Sequence, residues 1–201
     1  AKMRFSGKIV KKFPAAKELV YDAKKMTLLF EANKTNILAS AAAALSMGVS
    51  SEKIRRGVYL FRPLKNRLEY CGNYRGRIFI NDSKATNVSS VEFALKNISR
   101  PIVLIMGGRD KGSSYKPLAK RMKNVKLLVA YGEAAEKIEK ELTQKTKVIV
   151  IKKFADACDA ALKKSSRGDT LLLSPGCSSF DQFSDFEKRG KAFKKWLKNL
   201  T

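Results

Sequence analysis

Three polar loops of this sequence contain the side chains best suited to binding an anion, and each follows an apolar run. The first loop comprises residues 81–87, the second 107–112 and the third 174–183. In open α/β sheets, ligands bind beyond the carboxyl ends of the strands. Because each loop begins where an apolar run stops, we expect the three loops to lie along one edge of a sheet.

The first loop, Asn-Asp-Ser-Lys-Ala-Thr-Asn, combines a carboxylate with an ammonium group. We expect Thr86 or Asn87 to cap the helix that follows, but a cap does not require Asp82 and Lys84 beside it. An acid and a cation near the free amides of a helix N-terminus suit a sugar hydroxyl and a phosphate or carboxylate. We therefore interpret Asp82 and Lys84 as binding residues.

The second loop has the glycine spacing of a phosphate-binding loop but not its lysine. Gly107 and Gly112 have the spacing G-x-x-x-x-G, whereas Ser113 stands where the lysine of that motif belongs. A plain tight turn explains the glycines equally well. Lys111 is the residue of this loop that suits the binding of a carboxylate.

The third loop offers two adjacent hydroxyls where we expect the last helix to open. Ser178 and Ser179 precede Phe180 there. Serine is a common helix cap. In the alternative interpretation, the hydroxyls and the helix amides hold an anionic ligand.

From about residue 77 onward, the sequence has the alternating pattern of strands and helices that positions such loops. Strands are predicted at Arg77–Ile80, Ile102–Met106, Leu127–Tyr131, Val148–Ile151 and Thr170–Leu173, and helices at Val88–Asn97, Pro117–Met122, Glu133–Leu142, Phe154–Lys164 and Ser184–Asn199. Nearly continuous apolar strands separated by helices predict a parallel sheet covered on both faces. The fold class is therefore α/β, a doubly wound Rossmann-like domain. We expect Arg67–Cys71 to form an edge hairpin with the first strand, turning at residues 72–76.

The first 62 residues have a different pattern. Strands are predicted at Lys2–Val10 and Thr27–Phe30, a helix at Asn36–Met47 stopped by Gly48, and a short helix from Ser50 or Ser51 to Gly57. These few elements make a thin core. We therefore interpret residues 1–62 as the tail of a larger domain, joined near Pro63 to the domain at 63–201.

The composition excludes several classes of site. The chain has no histidine, so neither a Ser-His-Asp triad nor a histidine zinc site is possible. Its three cysteines are widely spaced, which indicates free thiols in a reducing cytoplasm. No apolar run approaches the length of about 18 residues that a membrane span needs. The chain opens on Ala1 with no secretory signal, which suggests that upstream sequence is missing.

The net charge of +24 indicates an anionic partner: a phosphorylated substrate, a nucleic acid or a membrane surface. The densest basic run is Lys188, Arg189, Lys191, Lys194, Lys195 and Lys198, interleaved with Phe186, Phe193 and Leu197. This spacing predicts an amphipathic helix whose basic residues form a solvated face.

The three loops together resemble the C-terminal domain of the Mur ligases, and within that family the branch that adds D-glutamate. The matching strings are 81–87, 107–112, 173–183, Phe186-Glu187 and Arg189-Gly190. Arg67-Leu68-Glu69 is similar to that family's His-Arg-x-Glu, with Asn66 in place of His. Residues 33–36 resemble the H-N-x-x-N motif of the central ATP-binding domain, with Ala32 in place of His.

The resemblance implies an ATP-dependent ligase that joins D-glutamate to UDP-N-acetylmuramoyl-L-alanine through an acyl phosphate, with Mg²⁺ bridging the phosphates. It assigns ATP contacts to Asn36, Arg67 and Asp82, and places the catalytic residue Lys84 near the phosphate and the incoming amino acid. It further assigns one D-glutamate carboxylate to Thr86 and Lys111, and the other to Ser179, Phe180 and Phe186. It implies no metal ligand, no specific nucleic acid and no membrane insertion.

The G-x-x-x-x-G-K-[ST] motif, which the family carries at the front of its central domain, does not occur in the 201 residues. We therefore expect this chain to be the C-terminal part of a larger enzyme, and to lack ligase activity by itself. The alternative hypothesis is a stand-alone basic Rossmann-like module that binds nucleotide or nucleic acid without catalysis. A related ligase such as folylpolyglutamate synthase is disfavoured by the string Ser-Ser-Phe-Asp-Gln-Phe.

Overall fold

A computed structural model describes residues 28–61 and 64–200 of the protein. The chain divides into two compact units, residues 1–63 and residues 64–201. The predicted strand at 2–10 and the linker residue Pro63 lie outside the described residues.

The described part of the first unit is a pair of helices, α1 (Leu28–Ser46) and α2 (Ser51–Leu60). Their buried contact is formed by small and branched apolar side chains: Ile37, Ala41, Ala42, Ile54 and Val58. The predicted strand at 27–30 is wrong over residues 28–30, which are helical. A short apolar run does not distinguish a strand from a helix, and here it continues into a long helix-forming stretch.

The predicted helix ends in the first unit are partly confirmed. Gly48 adopts a φ of +78° just after α1, as expected for a residue that stops a helix. The second helix does not end at Gly57 but continues to Leu60. A glycine inside a helix costs only about 1 kcal/mol relative to alanine, so it does not by itself end one.

The second unit is built on a six-stranded sheet, and its α/β class is confirmed. In chain order its elements are β1 (Glu69–Tyr74), β2 (Arg77–Asn81), α3 (Val88–Asn97), β3 (Ile102–Gly107), a 3₁₀ helix (Lys116–Asn124), β4 (Val125–Tyr131), α4 (Ala135–Leu142), β5 (Val148–Ile151), α5 (Phe154–Lys164), β6 (Thr170–Gly176) and α6 (Phe186–Lys198). The strand order is β1-β2-β6-β3-β4-β5. The final strand, β6, therefore lies between β2 and β3. Among these six strands, only the β1–β2 pair is antiparallel.

Helices cover both faces of the sheet, because its central strands carry apolar residues on both sides. Every residue of β3 and β6 is buried. On one face, Val103 and Ile105 of β3 join a core with Phe154 of α5 and Phe193 of α6. Toward the other face lie α3, the 3₁₀ helix and α4, where α3 and α4 each contact the 3₁₀ helix.

The structure differs from the predicted elements at several places. The hairpin turns at Arg75-Gly76, two residues with φ of +49° and +77°, and not over residues 72–76. Positive φ at both positions matches the twist of the paired strands. The segment Lys116–Asn124 is a 3₁₀ helix with Pro117 in its first turn, not an α-helix. The last helix begins at Phe186, not at residue 184.

No helix among residues 28–61 and 64–200 is long and apolar enough to cross a membrane.

Candidate functional site

The three loops lie along one edge of the sheet, as the sequence predicts. They follow β2, β3 and β6, which are neighbouring parallel strands with β6 in the middle. Parallel strands end on the same side of a sheet, so the loops meet beyond the carboxyl ends of these three strands. The structure therefore brings Lys84, Lys111 and Ser179 to one edge.

The first and third loops are joined by buried hydrogen bonds. Asp82 accepts from the Ser174 hydroxyl (2.8 Å) and from the Leu68 backbone N–H (3.1 Å), so both of its carboxylate oxygens are engaged. The Gly176 N–H donates to the Ala85 carbonyl (2.8 Å). Burial raises the pKa of Asp82 to about 6, because desolvation disfavours the ionised form more than these donors favour it.

A strained segment presents Arg67 beside the first loop. Asn66 and Leu68 have φ of +62° and +41°, a region that non-glycine residues rarely adopt. The side-chain oxygen of Asn66 accepts a hydrogen bond from Asn81 Nδ2 (2.8 Å), and the backbone carbonyl of Asn66 accepts one from the Lys84 N–H (3.0 Å). These bonds hold Asn66, and the hydrogen bond from the Leu68 N–H to Asp82 (3.1 Å) holds Leu68. The Arg67 side chain between them is exposed.

Arg189 connects the first loop to the third from the protein interior. Its side chain is fully buried, in α6. The guanidinium donates to the hydroxyl and carbonyl of Ser83 (3.0 and 2.9 Å) and to the carbonyl of Cys177 (3.2 Å). Burying a charge is costly unless its hydrogen-bonding groups are satisfied. The guanidinium is satisfied mainly by loop oxygens, so Arg189 fixes the relative position of the two loops.

The second loop approaches its neighbours so closely that it needs two glycines. Gly107 and Gly108 have φ of +142° and +126°. A Cβ at Gly107 would collide with the Tyr131 carbonyl, and one at Gly108 with the Ser178 carbonyl. The Arg109 N–H donates to that same Ser178 carbonyl (3.0 Å), which joins the second loop to the third.

The predicted site residues differ in their exposure. Lys84 and Lys111 are exposed, Thr86 is half-buried and Ser179 is buried. Phe180 exposes 59% of its surface, which is unusual for an aromatic ring at a loop. The Lys84 ammonium lies over the Phe186 ring, 5.3 Å from its centroid. Asn36 is exposed on α1, in the other unit.

The helix caps are partly as predicted. Asn87 caps α3, accepting the Ser90 N–H at 2.9 Å. Ser178 and Ser179 do not cap α6, which begins several residues later with Asp185 as its N-cap. The Ser179 carbonyl instead accepts the N–H groups of Gln182 and Phe183, so this segment forms a turn within the third loop.

The basic run of the last helix is not wholly a solvated face. Lys188, Lys191 and Lys195 are exposed, but Lys194 forms an ion pair with Glu69 (2.8 Å) and Arg189 is buried. The spacing in the sequence could have revealed Arg189, because it lies four and eight residues before Phe193 and Leu197, which are also buried. It therefore occupies the apolar side of the helix.

Tyr115 is a further residue that the sequence analysis did not single out. It is 2% exposed, and its hydroxyl lies 3.0 Å from Cys177 Sγ in the third loop. Nothing in the local sequence signals this contact, because the partners are 62 residues apart.

In the described ranges, no group of three His, Cys, Asp or Glu side chains is arranged to hold a metal ion. Asp82, the carboxylate at the meeting point of the first and third loops, has both oxygens hydrogen-bonded within the protein.

Comparison with known proteins identifies the family. The sequence model of a protein family, the Mur ligase glutamate ligase domain, matches residues 66–177, which include the hairpin and the first two loops. The chain belongs to the Mur ligase family. The matched range ends within the third loop, so the rest of that loop and α6 follow the matched part.

Individual Mur ligases are similar to nearly the whole chain. The UDP-N-acetylmuramoylalanine--D-glutamate ligase of Shouchella clausii is 41% identical over 170 residues, which are 84% of this chain and 38% of that protein. The enzyme of the same name from Chloroherpeton thalassium is 39% identical over 199 residues, 97% of this chain and 42% of the relative. The chain therefore spans about two fifths of the length of these relatives.

Solved Mur ligase structures share the fold. The UDP-N-acetylmuramate-alanine ligase of Thermotoga maritima superposes with a TM-score of 0.64 at 15% identity, covering 84% of this chain and 38% of that one. A pseudomurein peptide ligase from Methanothermus fervidus gives 0.61 at 23% identity, covering 84% and 36%. At such low identity these likenesses concern the fold alone.

Proposed function

We propose that this chain is the amino-acid-binding part of an ATP-dependent ligase that adds D-glutamate to UDP-N-acetylmuramoyl-L-alanine in peptidoglycan synthesis, in the cytoplasm. The observation that carries the proposal is the meeting of three loops at one sheet edge, with Lys84, Lys111 and Ser179 among them. Relatives about 40% identical are named for this reaction. Residues 1–62 would then be the C-terminal part of the central ATP-binding domain.

The proposed reaction forms an amide in two steps. The terminal carboxylate of the UDP-sugar substrate attacks the γ-phosphorus of ATP, and ADP leaves. The amine of D-glutamate then attacks the acyl carbon, phosphate leaves, and the amine loses a proton. Every reactant carries negative charge, so the main task of the protein is to offset that charge and to hold the amine close to the acyl phosphate.

The residues at the edge have the chemistry that these steps need. We assign Lys84 to the phosphate and the incoming amino acid, because its exposed ammonium group has no ion pair with any described residue. Lys111 and Thr86 are assigned to one D-glutamate carboxylate. The remaining carboxylate is assigned to Ser179, Phe180 and Phe186.

The proposed ATP contacts are Arg67 beside the first loop, Asp82 within it, and Asn36 in the other unit. The strained segment described above presents the Arg67 guanidinium, which suits a phosphate or ribose oxygen. Magnesium would neutralise charge between the ATP phosphates when bound. We assign no residue of this chain as its ligand.

The test is a phosphate-release assay on the full-length product of the gene, with each substrate omitted in turn. We expect phosphate release to require ATP, UDP-N-acetylmuramoyl-L-alanine and D-glutamate together, and L-glutamate not to substitute. Release without the amino acid, or preference for another amino acid, would contradict the proposal.

The net charge of +24 favours a second candidate, a module that binds nucleic acid. Filter binding to RNA and DNA over a salt series tests it. Tight binding at about 150 mM salt with a steep salt dependence would support the module. Weak binding that disappears at that salt is what we expect of a ligase with a basic surface.

A further inference from the structure

The loop that carries Lys111 is exposed over most of its length. Arg109 and residues 111–114 are exposed, and the chain enters the protein interior only at Tyr115. The Lys111 ammonium has no hydrogen bond or ion pair with any residue that the structure describes. The position of this ammonium group therefore depends on what holds its two neighbours in the chain.

The two chain neighbours of Lys111, Asp110 and Gly112, are held in place through the Asp110 carboxylate. Asp110 Oδ1 accepts the N–H of Gly112 (3.1 Å) and the hydroxyl of Tyr115 (3.3 Å). Asp110 Oδ2 accepts from the Lys137 ammonium in α4 (3.1 Å). The Lys137 ammonium also lies over the Tyr115 ring, 5.7 Å from its centroid. Asp110 thus anchors the turn, and Tyr115 and Lys137 anchor Asp110.

Tyr115 extends this anchor to the third loop. Its hydroxyl lies 3.0 Å from the Cys177 sulfur, in a buried contact. Burial raises the pKa of the Cys177 thiol to about 11, so the thiol keeps its proton at neutral pH. Since the Tyr115 hydroxyl gives its only proton to Asp110, the thiol is the donor to the hydroxyl oxygen. A chain of hydrogen bonds therefore runs from Cys177 through Tyr115 to Asp110.

We propose that Tyr115 is a positioning residue for substrate binding: it keeps Lys111 of the second loop at a fixed distance from Ser179 of the third. Ser179 is two residues beyond Cys177, so the link spans the two places assigned to the carboxylates of D-glutamate. The inference rests on the proposed function. A tyrosine that only fills the core would need its ring but not its hydroxyl.

The test is Tyr115→Phe in the full-length gene product, because this change removes the hydroxyl and keeps the ring. The change removes the hydrogen bond to the Asp110 carboxylate and the contact with Cys177. Because the hydroxyl would act on the substrate only through Lys111, we expect part of the effect of losing Lys111 itself, about 3- to 10-fold. We expect the KM for D-glutamate to rise by that factor, with kcat and the KM for ATP changed less than about twofold. Tyr74→Phe, a half-buried tyrosine of the hairpin, is the matched control and should change none of the three.

A double-mutant cycle separates positioning from a general loss of structure. If Tyr115 acts through Lys111, Tyr115→Phe should have no further effect on the D-glutamate KM once Lys111→Ala is present. Equal effects in both backgrounds, or an unchanged KM in the single variant, would overturn the proposal. If Tyr115→Phe does not fold, Cys177→Ala removes the same link from the other side and enters the same cycle.

The outcomes also distinguish this inference from the proposed function. If the wild-type protein requires D-glutamate but the effects in the double-mutant cycle are additive, only the positioning role of Tyr115 is refuted. If the wild-type protein shows no dependence on D-glutamate, both the proposed function and this inference are refuted.

Discussion

Lys111 forms no ion pair with any described residue, in contrast to several other lysines of the second unit. Lys126, Lys137 and Lys194 all pair with carboxylates, whereas Lys111 sits at the tip of a turn whose own carboxylate is taken by Lys137. A cation held at a sheet edge without a partner is available to a ligand. This is the residue-level reason for assigning it to a substrate carboxylate.

Lys111→Ala should therefore weaken the use of D-glutamate and leave ATP binding intact. A hydrogen bond to a charged group contributes roughly 1.5–3 kcal/mol, so we expect kcat/KM for D-glutamate to fall about 10- to 150-fold. The KM for ATP should hardly change. Steady-state kinetics of the full-length gene product measures both.

Lys123→Ala is the matched control, since Lys123 is an exposed lysine at the end of the 3₁₀ helix. It should leave all parameters unchanged. If Lys111→Ala behaves in the same way, Lys111 has no place in the site.

Asp82 shows the cost of a buried carboxylate. Its folded pKa of about 6 lies above the ordinary 3.8, so between these values the folded state binds more protons than the unfolded state. The stability that this group contributes is complete below 3.8 and is lost as the pH rises through about 6. At 1.36 kcal/mol per pKa unit, the loss amounts to at most about 3 kcal/mol.

Asp82→Asn should remove this pH dependence. An asparagine can accept the Leu68 N–H with its oxygen and donate to the Ser174 hydroxyl with its nitrogen, so the two hydrogen bonds persist. We expect the variant to be more stable than wild type at pH 7.5 and equal to it near pH 4. Urea denaturation at several pH values checks this. Parallel curves for the two proteins would contradict it.

At the scale of the elements, α6 is held against the hairpin end of the sheet by a close approach at Gly190. A Cβ there would lie 2.9 Å from Asn66 Cγ and 3.0 Å from Asn81 Nδ2. These asparagines belong to the buried network that supports Arg67. The packing of α6 and the presentation of Arg67 therefore depend on the same glycine.

Gly190→Ala should destabilise the protein by about 1–3 kcal/mol, the usual cost of forcing extra volume into a packed site. Chemical denaturation measures the change. Gly57→Ala is the contrasting control, because Gly57 is also in a helix but has open space around its Cα. It should stabilise α2 by roughly 0.5–1 kcal/mol. Equal effects of the two substitutions would show that Gly190 is not a close-packing position.

At the scale of the whole molecule, residues 64–201 contain their own sheet, two helical layers and the three loops. An independent core of this size is typical of a domain that folds alone. We expect a protein of residues 64–201 to unfold cooperatively and to give a dispersed amide NMR spectrum. A spectrum with collapsed dispersion, or unfolding without a transition, would show that it depends on residues 1–63.

The sequence by itself determined the class of the second unit and the edge at which its loops meet. Its apolar runs are nearly continuous and alternate with helical patterns, so only a parallel sheet covered on both faces buries them. The residues at the strand ends follow from the same pattern, because a parallel strand always presents its carboxyl end to the same edge. The resemblance of the loop strings to the Mur ligases was confirmed by the family match at residues 66–177.

Only the tertiary structure decided which polar residues support the site from inside. Charge predicts exposure on average, so the sequence predicts that Arg189 is solvated like the lysines around it. In the structure, oxygens of the first and third loops satisfy its guanidinium in the interior. The Tyr115–Cys177 contact joins residues 62 positions apart, and no local pattern encodes such a distance. Local sequence specifies the period of an element and its exposed face. The hydrogen-bond partners of a buried polar group are set by which strands become neighbours, and here that depends on β6 returning between β2 and β3.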